Sequence, residues 1–350
     1  MLRSLPAAEF ECHVAVPAEP PLRAAFEATG AAVHIVPMER ISSSHGVGTW
    51  ARYAAGWPVA VVRLVRLIRT LDIDVVHTNS LHSWYGWAAA ALTRRPHVWH
   101  AREINVQSGL ALRVERLLTR HFATRVIAMS QAIADQLPGS DVVVIHETAD
   151  ATEFSPVRAG RFRSRAGIPD DAPLVGSAGR IDTWKGVDVL LDAFASVKER
   201  VPGAHLAVAG GAVAGKEAYF DGLRARAEAL PDAHWLGPRT DVPEILADLD
   251  VFVMASTEPE PYGLVAVEAL ASGTPVVMTD AGGPREIAAH ATPGTARLVP
   301  IGDVVALADG IVDTLMTEGS STSAFRAARP PLREPEPDRF AAEFRRVLRR

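Results

Sequence analysis

Short apolar runs alternate along the whole chain with segments whose apolar positions recur at helical spacing. The runs are rich in Val, Ile and Ala and end at Gly, Pro or polar residues, which is typical of buried strands. Repeated alternation of strand and helix predicts parallel, doubly wound sheets. The predicted strands are 11–17, 31–38, 74–79, 97–103, 125–130 and 141–146, followed by 174–179, 205–210, 234–236, 251–256, 274–280 and 297–299.

The strand pattern is interrupted over residues 150–173, which are rich in charge, Gly and Pro. We therefore predict a domain boundary near Ser155, with Rossmann-like α/β domains over 1–155 and 156–318. Residues 319–337 contain a serine cluster and four prolines, which is typical of a linker. A short basic amphipathic helix follows over 338–348, so 319–350 forms a separate tail.

The composition excludes several classes of protein. With 350 residues and 48% hydrophobic content, the chain can form two domains with a core each. Cys12 is the only cysteine, so neither an internal disulfide nor a thiolate metal cluster can form. We find neither a long uncharged apolar run nor the apolar region of a secretory signal, and we expect a cytoplasmic protein.

The charge is unevenly distributed between the two halves. The net charge of −5 argues against a nucleic-acid partner, yet residues 1–155 carry 14 Arg and 14 acidic residues, so the negative excess lies in the second half. Two predicted helices repeat arginine at close spacing. One interpretation is a solvated basic face, and the other is peripheral association with anionic lipid. These arginines are Arg63, Arg66 and Arg69, and Arg113, Arg116 and Arg120.

The segment 257–277 holds two glutamates in an E-x7-E pattern. Pro259 and Pro261 disfavour helix around Glu260, so the helix is predicted to begin near Gly263 and to carry Glu268 on its second turn. The free amides of Gly263, Leu264 and Val265 and the helix dipole would favour phosphate or sugar oxygens between the two acids. The loop follows strand 251–256, and open α/β sheets bind ligands at carboxyl ends of strands. The alternative is a surface helix with two solvated glutamates.

Two cations follow the first strand of the second half. Arg180 comes directly after strand 174–179, and Lys185 precedes a helix with apolar residues at helical spacing. Both side chains could neutralise a departing diphosphate without a metal ion. No cluster of His, Cys and Asp with metal-ligand spacing is visible, so we predict no metal site and no cofactor. The alternative is a pair of ordinary surface cations.

These motifs resemble retaining glycosyltransferases of family 4, which have the GT-B fold of two Rossmann-like domains. The resemblance is close over 170–315 and looser over 70–156. It implies transfer of a sugar from a nucleotide diphosphate sugar to an acceptor with retention, with the leaving phosphate as base on the front face. Glu268 would then bind ribose, Glu260 the donor sugar, and Arg180 with Lys185 the diphosphate.

The resemblance also implies further site residues. The base would be held mostly by backbone atoms from Gly237 to Arg239, where the residues alone predict a turn and a helix capped by Asp241. Gly282 and Gly283 would let backbone approach the donor. His100 would lie near the reacting sugar, although a histidine at a strand end is often structural. The family's last helix crosses back to the first domain, and 338–348 is similar to it.

The resemblance fails at the front and at the hinge. Family members begin with a strand and a glycine-rich loop, whereas residues 1–10 look like the helix that follows them. We expect that the true start lies upstream; the alternative is a domain that lacks this strand. Residues 146–150 replace the usual Pro-Asn-Gly-Val-Asp.

Three aromatic residues, Trp84, Tyr85 and Trp87, cluster at the start of one predicted helix. Core packing is the default interpretation for them, and contact with an acceptor or a membrane is the alternative.

Two other functions stay open at this point. A sugar-nucleotide epimerase uses the same double fold, but it needs an acid and base pair that does not stand out here. A catalytically degenerate fold kept for binding is the non-enzymatic alternative. The donor base, the donor sugar and the acceptor, which could be a glycan, a lipid-linked or a small molecule, are not readable from the sequence.

Overall fold

The computed structural model describes residues 2–20, 23–39, 47–104, 109–150, 152–157, 160–318 and 339–349. The predicted linker 319–337 lies outside them. The chain forms two compact units, Met1–His146 with Pro335–Arg350, and Glu147–Glu334. The division comes before the predicted Ser155, because the residues after His146 already adjoin the second unit. Glu147 and Glu153 lie close enough to raise the pKa values of Tyr262 and Glu268 beyond the effect of burial.

The first unit contains two separate parallel sheets. Strands β1 and β2 form one, and β3-β4-β5-β6 form the other. Among the described residues no strand joins them. The elements are β1 His13–Val16, α1 Arg23–Glu27, β2 Ala32–Ile35, α2 Val47–Thr70, β3 Val76–Asn79, α3 Gly86–Thr93, β4 His97–Ala101, α4 Gly109–Phe122, β5 Arg125–Ala128, α5 Gln131–Ala134 and β6 Val142–Val144.

The helix expected over residues 1–10 is wrong. Only Leu2–Ser4 forms a single 3-10 turn, and the segment continues in turns up to β1. Pro6 supplies no backbone N–H and disfavours helix at the residue before it, which stops the helix after one turn.

The second unit is one six-stranded parallel sheet with the order β12-β11-β10-β7-β8-β9. This confirms the predicted α/β class. The elements are α6 Arg161–Ala166, β7 Leu174–Ala178, α7 Val187–Arg200, β8 His205–Ala209, α8 Glu217–Glu228, β9 Ala233–Gly237, α9 Val242–Asp248, β10 Val251–Met254, α10 Leu264–Ala271, β11 Val276–Thr279, α11 Pro284–His290, β12 Ala296–Val299 and α12 Val304–Glu318.

A buried arginine fixes the start of the second unit to its sheet. Arg163 is 0% exposed, and its guanidinium donates to the Asp250 carboxylate at 2.6 Å and to the Asp248 carbonyl at 2.9 Å. The Asp248 carboxylate in turn accepts from the Phe162 amide at 2.9 Å. Because each buried charge has a charged or backbone partner, the network avoids the cost of an unpaired buried ion.

The C-terminal helix, α13 at Arg339–Leu348, packs on the first unit. The apolar side of α13 contacts the four-stranded sheet, and its polar side forms ion pairs. Glu343 accepts from Arg125 at 2.8 Å, and Arg345 donates to both carboxylate oxygens of Glu9. The apolar contacts join Phe340, Phe344 and Val347 to Val98, Ile127 and Ile145.

Two histidines, His97 and His100, are buried in the first unit, and a third, His77, is partly exposed but has a buried ring nitrogen. The His77 ring lies 5.7 Å from the His100 ring and 5.6 Å from Phe344, while His97 bonds Thr78 Oγ1 at 2.8 Å. Burial lowers the pKa of His77 to about 4 and that of His97 to about 3, and it holds the pKa of His100 well below the usual value. All three rings are therefore neutral in the folded protein near neutral pH.

We expect the first unit to lose stability as the pH falls below the histidine pKa of the unfolded chain, about 6.5, because only the unfolded state then takes up these protons. The contribution of the neutral histidines to stability is fully present above the unfolded-chain pKa, and it is lost as the pH falls towards the pKa values of the folded protein. When the pH is lowered from about 7.5 to 5, each histidine should reduce the free energy of unfolding by on the order of 2 kcal/mol. Urea unfolding followed by circular dichroism measures this, and a flat profile contradicts it. His77→Leu should reduce the slope, while His121→Gln, on the exposed side of α4, should not.

Candidate functional site

The candidate site lies where the order of the six-stranded sheet reverses. Successive strands from β7 run outward through β8 to β9, and those from β10 run the other way through β11 to β12. The loops after β7 and β10 therefore separate at the carboxyl edge and leave a crevice between them, which is where open α/β sheets bind ligands. The loop after β7 carries Arg180 and Lys185, and the loop after β10 carries Glu260.

Two glycines allow these loops to touch neighbouring backbone. A side-chain carbon at Gly186, where φ is +65°, would lie 1.9 Å from the Ala255 carbonyl oxygen. One at Gly282, where φ is +76°, would lie 2.2 Å from the Glu260 carbonyl oxygen. No other residue fits at either position. The predicted close approach at Gly282 is thus backbone against the Glu260 loop, and Gly283 extends it by donating from its amide to the Glu260 carbonyl at 2.9 Å.

Lys185 and Glu260 form an ion pair across the crevice. Lys185 Nζ lies 2.7 Å from Glu260 Oε2, and Ser256 Oγ donates to the same oxygen at 2.9 Å. Glu260 is 6% exposed, and the Lys185 ammonium also lies 4.0 Å from the centre of the Trp184 ring. Lys185 and Glu260 are therefore in direct contact although they lie 75 positions apart in the sequence. Both are predicted to bind the same ligand.

Arg180 lies on the same loop as Lys185 and is exposed. The Ile181 amide beside it donates to the Gly211 carbonyl at 3.0 Å, which ties the start of the loop to the segment after β8. Across the described ranges Arg180 forms no ion pair. Its guanidinium is consequently available to an anion arriving from solvent.

Glu268 lies half-buried on α10, whose first residue follows Gly263. Burial, reinforced by the nearby Glu153 carboxylate, raises the pKa of Glu268 to about 7. Within the described part of the chain no cation pairs with it. At the start of α10, the amides of Leu264 and Val265 have no acceptor within the helix, as at any helix N-terminus. The carboxyl group and these amides suit a ligand with both hydroxyls and negative charge.

Gly237 and Arg239 lie at and after the end of β9. The Gly237 carbonyl accepts from Gly210 at 2.8 Å, so this turn adjoins the loop after β8. The expected cap by Asp241 is wrong, because its side chain makes no capping bond. Instead its carboxylate holds both Arg239, at 2.8 and 2.6 Å, and Arg165, at 2.7 Å. Two cations outcompete the helix amides for this carboxylate.

Sequence reasoning missed the contacts that hold the Lys185 loop. Asp182 accepts from the Thr183 amide at 2.8 Å and from Trp184 Nε1 at 3.1 Å, and it forms an ion pair with Lys216. Although burial alone would raise the pKa of Asp182, the Lys216 ammonium lowers it. Asp182 could have been suspected as a cap, but Lys216 lies 34 residues further on and no local pattern links the two.

His100 does not lie at an open strand end. It pairs with Asn79 inside the sheet, is 0% exposed, and its ring lies 5.6 Å from Phe340 of α13. Strand β4 ends at Ala101 and α13 covers this face, so His100 cannot touch a substrate in this structure. The expectation that it contacts the reacting sugar is therefore not supported by its position.

Other polar groups occupy the carboxyl edge of the first unit's larger sheet. Glu103 accepts from the Leu81 amide at 2.9 Å, and the fully buried Glu115 lies 2.9 Å from His82 Nδ1. Ser80 adopts φ of +144°, which is strained for a residue with a side chain. These groups, rather than His100, form the polar end of this sheet.

The described residues form neither a metal cluster nor a membrane span. In the part of the chain that the structure describes, no three His, Cys, Asp or Glu side chains are grouped to hold a metal ion. Nor does any described helix combine the length and apolarity needed to cross a bilayer.

Curated relatives of this chain are glycosyltransferases. A GDP-mannose-dependent alpha-mannosyltransferase from Mycobacterium tuberculosis is 33% identical over 266 residues, which cover 70% of this chain and 65% of the relative. A D-inositol 3-phosphate glycosyltransferase from Streptomyces bingchenggensis is 31% identical over 291 residues, covering 73% and 59%. The chain thus spans less than two thirds of the length of both relatives.

Two solved structures are similar to this one at different levels of sequence identity. The crystal structure of Anabaena HepE in complex with UDP-glucose matches with a TM-score of 0.75 at 26% identity, covering 95% of this chain and 91% of that one. WaaG, a glycosyltransferase involved in lipopolysaccharide biosynthesis, matches with a TM-score of 0.66 at 17% identity, covering 96% and 94%, and supports the fold alone.

Family models match both units. The model of glycosyl transferases group 1 matches residues 160–329, which contain the crevice, and the model of glycosyltransferase family 4 matches residues 1–153. With the parallel sheets of both units, these matches show that the chain belongs to the family 4 glycosyltransferases and has the GT-B fold.

Proposed function

We propose that the protein transfers a sugar from a nucleotide diphosphate sugar to an acceptor, with retention at the anomeric carbon. The observation that carries this is the Lys185–Glu260 ion pair in the crevice, beside the helix start that leads to Glu268. The relatives support the donor class, since one is named for GDP-mannose and a similar structure holds UDP-glucose. Neither an epimerase nor a non-catalytic protein is among the family descriptions.

Each residue has a role set by its charge. Arg180 and Lys185 neutralise the diphosphate as it leaves, which lowers the barrier most if the cations are already in place. Glu260 accepts hydrogen bonds from sugar hydroxyls, and the amides of Gly263, Leu264 and Val265 face phosphate or sugar oxygens. Glu268 accepts from the ribose hydroxyls. The leaving phosphate serves as base, and no carboxylate is assigned as nucleophile.

The base is held around Gly237 and Arg239, mostly by backbone, because the Arg239 side chain is occupied by Asp241. Gly282 and Gly283 bring backbone to the Glu260 loop. His100 has no part in this mechanism.

We further propose that no metal ion is required, since two cations and helix amides would face the diphosphate. Activity that EDTA leaves unchanged supports this. Activity that is lost to EDTA and restored by a divalent cation contradicts it. The expected cytoplasmic location stays a prediction.

The donor and the reaction type are tested together by incubating the protein with GDP- and UDP-sugars and detecting free nucleoside diphosphate. Release that depends on an acceptor, with a product of added hexose mass, supports transfer. Inversion of the sugar without an acceptor indicates epimerisation, and binding without turnover indicates a degenerate site.

Lys185→Met should lower kcat roughly 10²–10³-fold, as removal of one preorganised charge donor does in other enzymes. The matched control is Arg200→Met, which removes an exposed cation of α7 that pairs with Asp309. Steady-state kinetics of nucleotide release measures both, with circular dichroism to confirm folding. Equal kinetics in the two variants would refute the assignment of Lys185.

Donor affinity should rise with pH through about 7, because the pKa of Glu268 is raised to about 7 and only the ionised carboxylate accepts from both ribose hydroxyls. Glu268→Gln should weaken nucleoside diphosphate binding on the order of tenfold above that pH and much less below it. Isothermal titration calorimetry over the pH range measures this. Titration of the ligand phosphate affects wild type and Glu268→Gln alike, so the difference between their affinities reports Glu268 alone. A difference in affinity that does not change with pH contradicts the proposal.

We also propose that the first unit associates peripherally with anionic lipid. The 24-residue α2 contains no acidic residue, and Arg63, Arg66 and Arg69 lie exposed on one side of it. Within the described ranges none of the three has an acidic partner. Basic helices with exposed apolar residues associate with anionic membrane surfaces.

Replacing Arg63, Arg66 and Arg69 together with Gln should strongly reduce co-sedimentation with phosphatidylglycerol vesicles. Each arginine near an anionic surface contributes about 1 kcal/mol, and salt should weaken the binding. The control replaces Arg224 and Arg226 on α8 of the second unit. Equal binding by both variants contradicts the proposal.

A further inference from the structure

An aromatic pocket lies between α2 and α3, outside the candidate site. Its volume is about 320 Å³, within the range of small-ligand sites, and Ala54, which lines it, is exposed. Almost all of its surface is apolar. We call it the α2–α3 pocket; it is lined by Tyr53, Ala54, Trp57, Trp84 and Trp87.

Two residues that line the pocket each carry an indole N–H without a partner in the described part of the chain. Trp84 Nε1 and Trp87 Nε1 are buried, and neither donates to any acceptor among the residues that the structure describes. By contrast, Trp57 Nε1 donates to the Trp84 carbonyl at 3.1 Å. An unsatisfied buried donor costs about 1–3 kcal/mol, so a ligand that shifts these rings and brings acceptor oxygens would recover that cost.

The aromatic lining continues as an exposed apolar surface. The Trp87 ring lies 6.3 Å from Trp57 and 4.6 Å from Phe122, which connects α2, α3 and α4. Phe122 is 43% exposed and Leu117, on the same helix, 57%. An apolar chain leaving the pocket would therefore find further apolar surface at its edge.

The exposed charges on the two helices α2 and α4 are positive, and the nearby acid Glu39 lies 3.9 Å from Arg52 Nε of α2. Arg63 lies six residues beyond Trp57 on α2, about 9 Å along the helix axis. On α4, Arg113 and Arg120 are exposed, and the single acid, Glu115, is buried against His82. The exposed sides of α2 and α4 therefore attract an anion and carry no charge that would repel one.

We infer that the α2–α3 pocket binds an acyl chain of an anionic phospholipid at a membrane surface. The apolar lining takes the chain, and each buried methylene contributes about 0.8 kcal/mol. The three indoles of the lining suit the depth of lipid head groups, where tryptophan is enriched. The arginines take the phosphate. The inference rests on the proposed membrane association and does not depend on sugar transfer.

The pocket is tested with lysophosphatidylglycerol that carries bromine on its acyl chain, below its micelle concentration. Bromine quenches tryptophan only at close range, so saturable quenching reports a chain beside the indoles. Ala54→Phe fills the pocket without removing a lining ring, and Ala51→Phe adds the same ring at an exposed position of α2 that does not line it. We expect wild type and Ala51→Phe to be quenched alike and Ala54→Phe to need at least tenfold more lipid.

Each outcome separates the pocket from the membrane surface. Equal quenching of Ala54→Phe and wild type overturns the pocket, as does arginine-dependent vesicle binding without quenching by the brominated chain. Saturable quenching that Ala54→Phe removes supports the pocket even if vesicles do not bind, and then the membrane association fails alone. A dimer that Ala54→Phe dissociates, with no quenching, would show that a second copy covers the pocket, and overturns the proposal. Circular dichroism confirms that both variants fold.

Discussion

The carboxyl edge of the six-stranded sheet depends on backbone segments that approach more closely than a side chain permits. Gly186 lies against the Ala255 carbonyl and Gly282 against the Glu260 carbonyl, at separations that exclude even a methyl group. These contacts place the loops after β7, β10 and β11 side by side. The Lys185–Glu260 ion pair, the Ser256 hydrogen bond and the helix start at Gly263 all follow from that placement.

Two buried polar clusters, one in each unit, are stabilised by different means. In the second, Arg163 is neutralised by Asp250 and by carbonyls, so a fully buried cation stays ionised. In the first, His77 and His100 are kept neutral beneath the aromatic rings of α13. Burying a neutral histidine ring costs less free energy than burying an ion pair, but the resulting stability depends on pH. The stability that the arginine network gives does not depend on pH in this way.

Much of the fold could be predicted because it is encoded locally. Runs such as Val251–Met254 are continuous and apolar, as strands buried on both faces must be, and all twelve predicted strands are present. The sequence places Lys185 and Glu260 in loops at the carboxyl edge of one parallel sheet, and in the structure the two side chains are in contact.

What could not be predicted depends on distant contacts. His100 lies beneath α13, which is 239 residues further along the chain at its start, and no local pattern around β4 indicates that cover. Asp241 stands at a capping position but binds Arg239 and Arg165 instead. Lys216 holds Asp182 only because the loops after β7 and β8 meet at the edge of the sheet.

The ion pair in the crevice bears on how the enzyme would turn over. In the proposed function, a donor offers phosphate to Lys185 and hydroxyls to Glu260 at once, so both partners would be compensated when they separate. After transfer of the sugar, the nucleotide would still compete for Lys185, whereas the Glu260 carboxylate would keep the Ser256 hydrogen bond, lose the sugar hydroxyls and face negative phosphate. The spent nucleotide would then be held less firmly than the intact donor, and the ion pair, as it forms again, would help to release it.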